Sequence, residues 1–144
     1  MSLHFNGTEI KEVYFNGTKL TQVNFNGAKV WPSAFVVTGS NWSGSSSSLS
    51  TSTVTGSVVT TAVKSIECFA EMGGVSVLNF NFAASFGPAK NFKLTVQAEG
   101  VAAYGEALTA TAGYWIANCV GGSGLLSYLY ANRSKKINFS FAPV

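Results

Sequence analysis

The side chains in this sequence that could do chemistry are few and far apart. There is one histidine, His4, two cysteines, Cys68 and Cys119, and six acidic residues, all of them glutamate. A zinc or calcium site draws three or more ligands from such groups, and His4 with two distant thiols does not supply one. Glycoside hydrolysis needs two carboxylates roughly 5 to 9.5 Å apart. Glu67 and Glu71 are the closest pair outside the amino-terminal region, and four residues of strand span about 13 Å, which is too far. Serine is plentiful, but no Gly-x-Ser-x-Gly elbow occurs and the partners of a triad are missing. The run GGSG at residues 121–124 lacks the lysine and following helix of a phosphate loop and reads as a turn. The expectation is no enzyme, no catalytic residues, no metal and no cofactor.

Binding is the more open possibility. Trp42 sits in the Ser/Gly-rich stretch GSNWSGSS, where its ring either folds back onto the edge of the sandwich, as large aromatics usually do, or stands exposed for contact with a glycan or a partner surface. Trp115 and Tyr114 read as core residues of a strand. Cys68 and Cys119 lie in apolar settings that suit buried free thiols. The nine basic residues are scattered, with only Arg133 to Lys136 clustered, and net charge is +3. That is a poor footprint for tracking phosphates, so nucleic acid is not expected as a partner. No apolar run reaches the roughly 18 residues of a membrane span, and the start of the chain carries no secretory pattern.

The elements that must position these residues fall into two regions. Residues 5–31 repeat one pattern at a step of ten: Phe5-Asn6-Gly7, Phe15-Asn16-Gly17 and Phe25-Asn26-Gly27. Asn-Gly between residues of β character is the strongest short-range hairpin signal, because both central positions of a type I′ turn need φ > 0. The units could run as a meander or stack as miniature hairpins in solenoid fashion. Thirty residues cannot bury a core alone, so residues 1–32, ending at Trp31 and Pro32, must lean on the following domain, on sister subunits or on a larger host structure; the last two would make them a docking or oligomerisation module. His4 merely flanks the first turn, where Tyr14 and Asn24 take the equivalent places.

Residues 33–144 form the second domain. After a loop over residues 39–48, strands are expected from about residue 51 onward, separated by turn signals and with no convincing helix; GGSG is followed by LLSYLYA, read as strand. Alternation is clear in VSVLNFNFAAS and NFKLTVQAE. Such a series argues an all-β chain, with the hairpin repeats followed by an antiparallel β-sandwich, immunoglobulin-like or jelly-roll-like. Charged residues make up 10 % of the chain against 47 % apolar. That balance implies surface hidden by partner subunits.

The segments Asn6-Gly7-Thr8, Asn16-Gly17-Thr18 and Asn26-Gly27-Ala28, closed by Lys29-Val30-Trp31, resemble the amino-terminal segments of small structural proteins of tailed-bacteriophage virions, such as minor tail, tail-fibre-associated and decoration proteins. Ala28 departs from the threonine of the other two units, and the resemblance covers about a fifth of the chain. It implies a non-enzymatic virion subunit, assembled in the host cytoplasm and held by contacts with other virion subunits, with a homotrimer favoured. The rival expectation is a module that binds carbohydrate or the host surface through Trp42; a polysaccharide-processing enzyme is the weakest reading.

Overall fold

The computed structural model describes residues 34–144 in full and, within residues 1–33, the backbone of six short strands. The chain divides into two compact units, Met1–Ala34 and Phe35–Val144. In the first, β1 (His4–Phe5) pairs with β2 (Thr8–Glu9), β3 (Tyr14–Phe15) with β4 (Thr18–Lys19), and β5 (Val23–Phe25) with β6 (Ala28–Trp31), all antiparallel. Phe5 is opposite Thr8, Phe15 opposite Thr18 and Phe25 opposite Ala28. Asn6, Gly7, Asn16, Gly17, Asn26 and Gly27, and the side chains of Phe5, Phe15, Phe25 and Trp31, lie outside the described residues, as does the choice between meander and solenoid.

The second unit is a closed antiparallel barrel, not a sandwich. Its strands are β7 (Phe35–Ser40), β10 (Thr53–Val58), β11 (Thr61–Glu71), β12 (Val75–Phe82), β13 (Lys90–Ala98), β14 (Leu108–Gly113), β15 (Ile116–Gly122) and β16 (Ile137–Pro143), with β8 (Ser43–Ser45) and β9 (Ser48–Thr51) between β7 and β10. The order around the wall is β7-β16-β13-β14-β15-β12-β11-β10, and β10 closes the ring by pairing with β7 at Thr53–Gly56 and with β11 at Ser57–Val58. A sandwich keeps two sheets with free edges; closure removes them. The β8–β9 hairpin extends the wall on the upper half of β11, where Thr51 to Ser48 pair with Ile66 to Phe69. This hairpin occupies a stretch expected to be loop.

Alternation along each strand sends one set of side chains inward. Phe92, Leu94, Val96 and Ala98 of β13, Leu108, Ala110 and Ala112 of β14, and Ile137, Phe139 and Phe141 of β16 are all buried. The lumen is filled by an unbroken run of rings: Trp42, Phe139, Phe80, Phe141, Phe92, Phe86 and Phe82, with successive centroids 4.9 to 6.3 Å apart and mostly edge-to-face. An eight-stranded barrel is narrow enough for side chains to fill it. The outer wall is mixed, with Asn, Ser, Thr, Lys and Gln side chains and with Val36, Ile116 and Val120 exposed among them. A membrane barrel has the reverse arrangement, apolar outward and polar inward, and among the described residues no helix is long and apolar enough to cross a membrane.

One end of the barrel is closed by helix α1 (Ser123–Ala131), which buries Leu125, Leu126 and Leu129. The segment LLSYLYA was expected as a strand. It is helical because Leu125 and Leu129 fall one turn apart on the face that meets the barrel. Its C-terminal carbonyls are satisfied by Asn132 Nδ2 on Tyr128 O and Arg133 Nη1 on Tyr130 O, each at 2.8 Å. The opposite end holds two-residue hairpin tips at Val59-Thr60 and Tyr114-Trp115, beside the connector of residues 83–89.

Candidate functional site

Trp42 is buried, at 7 % exposure, and is not a surface contact. Its indole Nε1 donates to the carbonyl of Gly39 at 3.2 Å and its ring packs against Phe139, centroids 6.0 Å apart. The polar neighbours that suggested exposure belong to the β8–β9 hairpin of the wall and stay exposed, while Trp42 turns inward. Tyr114 and Trp115 correct the sequence reading in the other direction. Read as core, they form a hairpin tip and stand 61 % and 62 % exposed. The connector and the end of β12 fix that tip: Tyr114 N donates to Gly87 O at 2.8 Å, Phe86 N to Tyr114 O at 2.6 Å and Phe82 N to Trp115 O at 3.0 Å.

Cys68 and Cys119 are free, buried and inward-facing. Cys68 stands opposite Leu78, and Leu78 opposite Cys119, so a whole strand separates the thiols. At about 4.8 Å per strand step their Cα atoms lie well beyond the roughly 7 Å limit for a disulfide. Burial raises the Cys68 thiol to about 12 and Cys119 to about 11. Neither is a nucleophile in this state. Among the described residues no group of three or more His, Cys, Asp or Glu comes together.

The helix end of the barrel carries a small polar constellation. Tyr104 OH donates to Glu106 Oε2 at 2.5 Å, and the same carboxylate accepts the Gly122 N–H at 3.1 Å on each oxygen. GGSG therefore does lead into a helix, but its N-terminal amide is met by the chain's own glutamate. The hydrogen bond from Tyr104, then that from Gly122, holds the Glu106 carboxyl below its usual range; burial first, and then the bond to Glu106, pushes the Tyr104 phenol up to about 12.

The most developed polar surface is on the wall. Strand register puts Ser43, Ser50, Glu67, Asn79, Asn118 and Thr111 in one row across β8, β9, β11, β12, β15 and β14. Glu67 and Glu71 are both on β11, four residues apart on an extended strand. Within the row Asn118 Nδ2 donates to Asn79 Oδ1 at 2.7 Å, and Asn79 Nδ2 to Glu67 Oε1 at a long 3.4 Å. Beside the row the ladder is irregular. β9 leaves β11 after Ile66 and β10 takes up its register only at Ala62, so residues 63–65 of β11 have no register partner on that side although β10 runs alongside. The register to β12 also slips between Val63 and Ser65, a bulge of the kind found next to binding sites. A cleft of about 330 Å³ lies at this seam, lined by Asn41, Ser43, Ser50, Ser52, Glu67 and Asn81 among others. The row and the seam were not visible in the sequence, since each residue is common and only the register assembles them. The chain matches no protein-family model, no curated protein and no solved structure.

Proposed function

We propose that the chain is a structural subunit of a tailed-bacteriophage virion, a tail or fibre component assembled in the host cytoplasm. It docks through residues 1–32 and displays the barrel. The observation that carries this reading is the Phe-Asn-Gly unit repeated three times at a ten-residue step, with hairpin pairing around each, in a unit of its own ahead of the barrel. The filled lumen and closed wall add support. The eight staves are paired on both sides and the one free edge among the described strands of this unit is the short β8, so association falls to the repeats and to exposed tips such as Tyr114-Trp115. The favoured state is a homotrimer bound to other virion subunits.

The test is Gly17→Val in the full chain, the middle unit having neighbours on both sides. A β-branched residue is an outlier at φ > 0. The variant should keep the barrel's melting transition and lose self-association by light scattering and incorporation into particles. A variant that assembles normally, or a wild-type chain that stays monomeric at micromolar concentration, counts against the docking role.

A further inference from the structure

We infer that the seam cleft between β9, β10 and β11 is a binding site for a neutral saccharide, with the Glu67 carboxylate as its central acceptor. This goes beyond the docking role and stands independently of it.

The chemistry of the lining selects the ligand class. Asn41, Ser43, Ser50 and Ser52 are exposed, and among the described residues their side chains take no hydrogen-bond partner, so their hydroxyls and amide are available to whatever fills the cleft. Asn81 is held by its bond to Ser65 Oγ at 3.0 Å. Glu67 accepts from Asn79, which is itself oriented by Asn118, and this amide relay steadies one carboxylate oxygen while leaving the other to the cleft. A single carboxylate among hydroxyls and amides is too little for calcium, which takes six to eight oxygen ligands and usually several charges. An anion would be repelled. A polyol fits, because its hydroxyls both donate to the carboxylate and accept from amides and serines.

The architecture supports the same assignment. The cleft lies where the ladder is interrupted at residues 63–65, between the registers of β9 and β10 on β11. At the rim Asn41 holds a left-handed conformation, φ 54, which turns the chain from β7 into β8 and places its amide on the cleft. Underneath, Thr51 Oγ1 donates to Ser40 O and also accepts from Thr53 N at 3.0 Å, and Trp42 is locked to Gly39, so the floor is rigid. The volume is at the small end for ligand sites. It suits one sugar ring, and the open outer side leaves room for the rest of a glycan chain.

The test is amide chemical-shift titration of the full-length protein with a panel of neutral hexoses, N-acetylhexosamines and their oligomers, and separately with calcium chloride. The expected result is saturable shifts at Asn41, Ser50–Thr53 and Ser65–Glu67 with at least one sugar. Ser52→Leu, which fills the mouth with an exposed side chain, should abolish them. Glu67→Gln should weaken the same binding about tenfold, the cost of one charge-assisted hydrogen bond. The spectra of both variants away from the cleft report that the barrel is intact. No cleft shift with any sugar of the panel overturns the proposal. So do shifts unchanged in both variants, which would place binding elsewhere, and cleft shifts produced by calcium alone, which would make the site a cation site.

Discussion

Gly39 and Trp42 share one space: a Cβ added at Gly39 would come within 2.7 Å of Trp42 Cζ2 and 3.2 Å of both Ile66 Cδ1 and Thr51 Cγ2. The absence of a side chain at Gly39 is what leaves room for the indole to approach and donate to the Gly39 carbonyl. Gly39→Ala should therefore overpack this corner and cost about 1–3 kcal/mol. Trp42→Ala should cost about 3–5 kcal/mol through the cavity it leaves. Urea denaturation gives both values, and near-UV circular dichroism should show the Trp42 band altered in Gly39→Ala. A neutral Gly39→Ala would mean that the ring has another place to go.

Val59 has φ 56 in the Val59-Thr60 tip. A β-branched residue there is strained, by roughly 1–3 kcal/mol. Val59→Gly should raise the melting temperature by a few degrees, about 1 kcal/mol net once the unfolded chain's added freedom is subtracted. Gly56, three residues earlier at φ 111, is the opposite case: a Cβ would collide with the Val36 carbonyl oxygen, so Gly56→Ala should lower it. Equal melting of Val59→Gly and wild type would dismiss the strain.

The two thiols should be silent in the folded protein. With Cys68 raised to about 12 and Cys119 to about 11 by burial, almost no thiolate exists at pH 8. A chromogenic disulfide reagent should label neither residue until denaturant is added and should then label both. Oxidised samples should run as unbridged monomers on non-reducing gels. Fast native labelling would mean that the barrel opens between β11 and β15.

Glu106 links stability to pH. Its carboxyl is held below the ordinary value of 4.5 by Tyr104 and Gly122. A depressed carboxyl stabilises the fold above that ordinary value, and the contribution is lost as pH falls through the folded one. Glu106→Gln should therefore melt below wild type at pH 7, and the difference should shrink progressively below pH 4.5. Tyr104→Phe should show the same trend. A difference independent of pH would assign the effect to packing rather than charge.

How far the sequence reveals this molecule can be judged residue by residue. The inward sets Phe92-Leu94-Val96 and Leu78-Phe80-Phe82 follow from alternation alone, and so does the all-β class. Barrel and sandwich share that alternation; what separates them is β10 pairing on both sides, between residues that local pattern does not connect. Helix α1 was missed because nine residues carry little periodicity, although Leu125 and Leu129 at one-turn spacing after Gly-Ser were a usable signal. Trp115 lies on the surface and not in the core because the strand containing it reverses immediately after Gly113, whereas Trp42 takes the buried one of its two readings while the serines around it stay exposed. The cleft needed register. Nothing local ties Glu67 to Asn79 and Asn118.

The position of β16 has a consequence for how the molecule is made. Ile137–Pro143 is inserted between β7, at residues 35–39, and β13, at residues 92–98. On the ribosome every other stave can emerge and pair before this one. The nascent barrel must wait with an open seam, β7 and β13 each missing a neighbour and Phe139 and Phe141 absent from the run of rings. Closure is thus a late, long-range event of the kind that folds slowly. Until it occurs, the unfinished chain offers two bare strand edges to its neighbours on the same polysome.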